Sequence, residues 1–169
     1  MLIRAEIPVD APGIDNLLRR AFQRDAEADL VQRLREDGLL TLGIVATDSE
    51  GGVIGYAAFS PVWIEGEDCQ WVALAPLAVE SHFRCQGIAR RLVYEALDML
   101  NEFGYRGVVV LGDPAYYAAL GFVLAAQGQL HCQQFGADTP LHFFTLADDA
   151  LTDVNGQVEY AEPFNQLMD

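Results

Sequence analysis

Apolar and polar positions alternate from Leu2 to Glu6, the two-residue period of a short half-buried strand. The period then lengthens. Ile14, Leu17, Leu18, Ala21 and Phe22 fall on one side of a helix. Its start is marked by Asp10, whose carboxylate could cap the first amides, and by Pro12, whose ring suits a first turn. A second helix is expected from Ala26 to Asp37, with Leu30, Val31 and Leu34 on one side and Gly38 as its stop. The β-rich runs Leu40 to Thr47 and Val53 to Val62 flank the turn Asp48-Ser49-Glu50-Gly51-Gly52, which predicts a hairpin. Gln70 to Val79 is apolar for most of its length and predicts a central strand buried on both faces, where Pro76 must interrupt the ladder and leave a bulge or splayed edge.

The clearest helix follows, with Ile88, Leu92, Ala96, Met99, Leu100 and Phe103 at helical spacing and Gly104 closing it. Gly107 to Leu111 then reads as a buried strand, Pro114 to Leu120 as a short helix, and Phe122 to Ala126 and Leu141 to Leu146 as further strands. This order predicts an α/β (α+β) fold with a mixed central sheet flanked by helices. A chain of 169 residues suits one domain, expected over 1–147. Residues 148–169 match no interpretable motif and are expected to pack on the same domain as an extension, with homodimer formation through them left open.

Composition narrows the function. The net charge is −15, from 25 acidic residues against ten arginines and no lysine. Without lysine there is no Walker-type phosphate loop, no Schiff-base lysine and no lysine general base. So acidic a surface repels nucleic acid and attracts cationic amines, although acidity also serves plain solubility. No apolar run of about 18 residues offers a membrane span. Cys69, Cys85 and Cys132 are few and scattered, as free thiols in a reducing compartment would be, and the expected location is the cytoplasm. His82, His131 and His142 have no metal-ligand spacing, so no metal site is expected and they are read as structural or surface residues.

Chemistry concentrates where the central strand runs into Arg84-Cys85-Gln86-Gly87-Ile88-Ala89 and the long helix. Backbone N–H groups at the positive end of a helix dipole bind phosphate, and Gly87 has no Cβ to obstruct an anion. Ala89 would keep the helix near the sheet. Arg84, Arg90 and Arg91 cluster here in a chain otherwise rich in carboxylates. On this pattern alone, a phosphate site and an ordinary helix start with solvated arginines both stay open.

Arg84-x-x-Gly87-x-Ala89 is followed by Gly112-Asp113-Pro114-Ala115-Tyr116-Tyr117, with Gly121-Phe122 behind it. The pairing resembles the GNAT superfamily of N-acetyltransferases. With Pro76-Leu77-Ala78-Val79 ahead of the loop, it is most similar to the bacterial YhbS-like branch. The resemblance implies acetyl-CoA as acyl donor. Backbone groups of Leu77, Ala78 and Val79 would pair with its pantetheine arm, and an amide there would polarise the acyl carbonyl. Arg84 and the amides of Cys85, Gln86, Gly87, Ile88 and Ala89 would hold the pyrophosphate. Tyr117 matches the tyrosine that protonates the departing thiolate, while Tyr116 reads as a packing aromatic.

The proton acceptor is less defined. Many family members carry an acid on the strand before the tyrosine, where this chain has Val110 and Leu111. Glu80 and Asp113 could act as base through water, or serve as a surface charge and a helix cap. Glu65, Glu67 and Asp68 form an acidic loop that could border the acceptor. Without a Ser or Cys nucleophile paired to histidine, direct attack by an amine of a small molecule or protein is expected. A longer acyl-CoA or acyl carrier protein donor, and a non-catalytic acyl-CoA-binding module, are the alternatives.

Overall fold

The computed structural model describes residues 1–135 and 139–168. The chain is a mixed α/β protein of two compact units, Met1–Phe59 with Ala75–Asp98, and Ser60–Leu74 with Met99–Asp169. No helix among the described residues is long and apolar enough to cross a membrane.

In the first unit, strand β1 (Leu2–Ala5) pairs antiparallel with β2 (Leu42–Thr47), and β2 with the first part of β3 (Val53–Ile64). The expected hairpin is present, with a register shift at Ala46 and Thr47. Helices α1 (Ala11–Phe22) and α2 (Ala26–Glu36) lie where the apolar periodicity places them. Their Ile14, Leu17, Leu18, Ala28 and Val31 form one core with Val45, Tyr56, Ala58 and Ala78. Asp10 does not cap α1. Its carboxylate accepts from Arg4 Nη1 at 2.7 Å and from the Ile7 N–H at 2.8 Å, because a 3-10 turn at Pro8–Asp10 precedes the helix. The buried Tyr56 hydroxyl donates to Glu6 at 2.6 Å, and Arg35 holds the other Glu6 oxygen at 2.8 Å, joining β1, β3 and α2.

The unit also contains the end of β4 (Trp71–Val79) and most of α3 (Ile88–Glu102). α3 approaches β3 at Gly55, where a Cβ would stand 3.0 Å from Leu92 and 3.2 Å from Ile88. The helix is therefore admitted to the sheet at Gly55, a position the sequence pattern did not single out. Phe103, expected on the apolar face of α3, lies beyond its last turn and is 64% exposed.

In the second unit, the start of β4 pairs in parallel with β5 (Gly107–Leu111), through Trp71↔Gly107 to Ala73↔Val109. β5 pairs antiparallel with β8 (Leu141–Thr145), and β8 with the two-residue β6 (Val123–Leu124). The strand expected from Phe122 to Ala126 is short because a 3-10 turn takes over at Ala125–Gly128. Short helix α4 (Pro114–Ala119) falls as expected. The tail supplies β9 (Gly156–Tyr160), antiparallel to Val62–Ile64 of β3 and parallel to β7 (Leu130–His131). Asp169, the last residue of the expected extension, lies outside the described residues. β4 is buried on both faces from Trp71 to Leu74 but alternates from Ala75 onward, so the sequence expectation holds for its first half only.

Gly55→Val should lower stability by about 1–3 kcal/mol through overpacking against Ile88 and Leu92. Thermal denaturation should show a midpoint several degrees lower, and an unchanged midpoint would contradict the packing described.

Candidate functional site

Between β4 and α3 the backbone reverses twice. A 3-10 turn at Ser81–Phe83 leads to extended Arg84, and then Cys85 and Gly87 adopt left-handed conformations, at φ 65° and 81°. Such reversals at a helix N-terminus are the backbone condition under which successive N–H groups converge on an anion. The Arg91 N–H donates to the Gly87 carbonyl at 3.1 Å, and the amides of Cys85, Gln86, Gly87, Ile88 and Ala89 lie ahead of that bond. A Cβ on Gly87 would meet no protein atom within 4 Å, so the requirement for glycine comes from its φ and not from packing. Both ends of the loop are tied down. The Glu80 N–H donates to the Ile54 carbonyl at 2.8 Å, and Arg84 Nε donates to the Val79 carbonyl at 3.1 Å. Just before the loop, Ala78 is buried in the core while Leu77 and Val79 are half-buried. Arg90 lies over the Tyr94 ring, 5.8 Å from its centroid. A groove of about 560 Å³ beside Gln86 and Ile88 is edged by Asp48 and Glu50, whose charge suits a cation better than a phosphate.

Glu80 is the N-terminal neighbour of this loop, and it is already engaged. Its carboxylate accepts from Arg20 Nη2 at 2.6 Å and Nε at 3.1 Å, and these bonds hold it below the usual carboxylate range. As a base it is weakened.

In the second unit, Asp113 caps α4 by accepting from the Ala115 N–H at 3.0 Å. Tyr117, in the middle of that helix, lays its ring over Gly112, where a Cβ would come within 2.5 Å of the ring. Tyr116 and Phe122 meet the Tyr117 ring edge-on, at centroid distances of 5.0 and 5.7 Å, and His142 lies 5.8 Å away. Burial, with a smaller contribution from Tyr116, pushes the Tyr117 phenol up to about 12. It therefore remains a neutral proton donor through the neutral pH range.

The model of the acetyltransferase (GNAT) family matches residues 11–123. The chain belongs to the GNAT acetyltransferase family. It is 64% identical to the uncharacterized N-acetyltransferase YhbS of Escherichia coli (strain K12) over 167 residues, which cover 99% of this chain and all of that one. The crystal structure of Escherichia coli YhbS in complex with CoA matches with a TM-score of 0.94 over 97% of this chain and 91% of that one. A GNAT family acetyltransferase from Brucella melitensis, in complex with acetyl-CoA, matches with a TM-score of 0.81 at 32% identity, over 96% of this chain and 97% of that one.

Within the GNAT family this chain stands in the YhbS-like branch and is an acyl-CoA-dependent N-acetyltransferase. Sequence reasoning missed three participants. Arg20 binds Glu80 from sixty residues away, and no local pattern links the two. Gly112 gives the Tyr117 ring its seat, a role that spacing does not show. His142, read as structural or surface, is fully buried beside Tyr117; the available signal was one polar residue among Leu141, Phe143 and Phe144. The cysteines Cys69, Cys85 and Cys132 are free thiols, as expected.

Glu80→Gln should cost about 0.5–1 kcal/mol at pH 7, a small effect because Arg20 is 54% exposed. Because the Glu80 carboxyl is depressed in the folded protein, its contribution is present above the unfolded value of about 4.3 and is lost as pH falls through the folded value. Urea unfolding of wild type and variant at stepwise lower pH should show the difference shrinking; a difference that grows on acidification would contradict the assignment.

Proposed function

We propose that this protein transfers an acetyl group from acetyl-CoA directly to a primary amine of a small molecule or protein. The observation that carries the proposal is the loop of Arg84 to Ala89, with left-handed Cys85 and Gly87 ahead of α3. Its amides suit a pyrophosphate, and with Nε held by Val79, Arg84 would offer its two terminal nitrogens to the same anion. CoA in the 64% identical YhbS and acetyl-CoA in the Brucella protein support this choice of donor. Bound acetyl-CoA supplies an activated acyl carbonyl and a thiolate leaving group. Backbone groups of Leu77, Ala78 and Val79 align the acyl arm and polarise its carbonyl.

Tyr117 supplies the proton for the departing thiolate. A phenol at about 12 is a reluctant donor to a thiol near about 8.5, and the difference is about 5 kcal/mol. Tyr117 can work only if its phenolate is stabilised where it forms.

Neither candidate base is poised for the amine. Glu80 is held by Arg20, and Asp113 is held by the Ala115 amide. At pH 7 the neutral form of an alkyl amine near 10.4 costs about 4 to 5 kcal/mol, against about 1 to 1.5 kcal/mol for an α-amino group near 7.7 to 8.0. Amines of low basicity are therefore the better acceptors.

An amine panel screened with saturating acetyl-CoA, by release of free thiol, tests the function. Catalytic efficiency should rise with pH along the acceptor's own titration and should favour α-amino over alkyl amines at pH 7. A pH-independent profile would indicate a protein base that this assignment lacks. Tyr117→Phe should lower kcat by about 10²- to 10⁴-fold with little change in CoA binding. Arg84→Ala should weaken CoA binding about tenfold or more by calorimetry, through the loss of a charged contact.

A further inference from the structure

Beneath α4 several polar groups are buried with no protein partner. His142, on β8, is 1% exposed, and among the described residues neither of its ring nitrogens has a hydrogen-bond partner. The Tyr160 hydroxyl, on β9, is buried and unpartnered in the same way. A neutral imidazole carries one donor and one acceptor, and a phenol carries both, so these groups require partners that the described residues do not provide. The Tyr117 ring borders His142. It lies 5.8 Å from the His142 ring, tilted by 40°, and its charge is one of those that raise the Tyr160 phenol. The titratable groups facing Tyr117 are Tyr116 on its own helix, His142 and Tyr160, while Cys132, flanked by Glu159, faces Tyr160.

From this geometry we infer that His142 is a positioning residue for Tyr117, its ring N–H reaching the phenol oxygen through a buried water. Two rings 5.8 Å apart and tilted by 40° touch at their edges, so the water belongs beside those edges, where the buried imidazole nitrogens need a partner, and not between the ring faces. The inference rests on the assignment of Tyr117 as proton donor. When Tyr117 gives its proton to the thiolate, the phenol oxygen becomes an anion in a buried place. The His142 N–H, without itself losing the proton, then holds the bridging water with its own O–H toward that oxygen, so the charge forms against a fixed donor. Two features set this apart from a core histidine that merely fills space. A space-filling ring would be as well served by leucine, and it would not respond to the tyrosine hydroxyl.

The test uses the intact protein with ¹⁵N-labelled histidine, the His142 ring signals being identified by their loss in His142→Gln. Tyr117→Phe keeps the aromatic ring and removes only the hydroxyl, so it should shift the His142 ring nitrogen signals. Unchanged signals in Tyr117→Phe would overturn the inference. For turnover with whichever amine the panel identifies, His142→Leu should lower kcat about tenfold or more, with KM for acetyl-CoA unchanged. His142→Gln, which retains an N–H, should recover most of that loss. Equal kcat in His142→Leu and wild type, or no recovery in His142→Gln, would also overturn it. If the ring signals shift but Tyr117→Phe turns over normally, the proton-donor assignment fails and the positioning role fails with it. If Tyr117→Phe is slow while the ring signals stay fixed, only the link to His142 falls.

Discussion

The start of α3 is set by how closely that helix can lie on β3. At Gly55 the missing Cβ lets Ile88 and Leu92 approach so closely that a side chain there would push them back. Ile88 is the first residue of the helix, so the contact that packs α3 also fixes its N-terminus. The other end of the loop is held one residue away on the same strand, where the Glu80 N–H bonds to the Ile54 carbonyl. Residues 80–88 thus run between two anchors on adjacent positions of β3. A span so constrained must turn sharply, and the left-handed Cys85 and Gly87 are the turns. The loop geometry to which pyrophosphate binding is assigned in the proposal therefore follows from sheet packing rather than from a dedicated scaffold of side chains.

Charge economy makes the same loop distinctive. Arg4, Arg19, Arg20, Arg24, Arg35 and Arg106 are each paired with one or more carboxylates. Arg84 instead donates to a backbone carbonyl and, among the described residues, has no carboxylate within ion-pair distance. A carbonyl orients a guanidinium without neutralising it, so the charge remains available to an external anion. In a chain of net charge −15, that separation from carboxylates suits Arg84 to the phosphate proposed for it. Glu80 shows the opposite arrangement, since pairing with Arg20 withdraws it from base chemistry.

Features carried by local chemistry were legible in the sequence. The Asp48 to Gly52 turn announced its hairpin, the spacing of Ile88, Leu92 and Ala96 announced α3, and Gly87 announced the loop, because turns and amphipathic periods are written in neighbouring residues. Features decided by distant partners were not. β9 has only Val158 and Tyr160 as apolar alternates, and its identity as a strand depends on Val62 to Ile64. The role expected of Asp10 failed because Arg4, on the preceding strand, competes for its carboxylate. Gly55 is silent in sequence because its function is the absence of a side chain opposite another element.

In the general-acid role proposed for it, Tyr117 faces a conflict common to buried acids. Desolvation keeps the phenol protonated, which makes the proton available, yet it raises the cost of the phenolate that remains after transfer. Against a thiol near about 8.5 the deficit is about 5 kcal/mol, whereas one hydrogen bond to a charged group returns about 1.5–3 kcal/mol. A single donor therefore offsets part of the deficit but not all of it, and the rest must come from water at the site or from the thiolate itself being raised by desolvation. The second route acts in the same direction, because burial penalises the thiolate as it penalises the phenolate and narrows the gap between them. Placing donor and leaving group in equally dry surroundings, with a polar neighbour behind the donor alone, would favour transfer from oxygen to sulfur. His142, buried against the Tyr117 ring and without a hydrogen-bond partner among the described residues, is a polar neighbour of that kind.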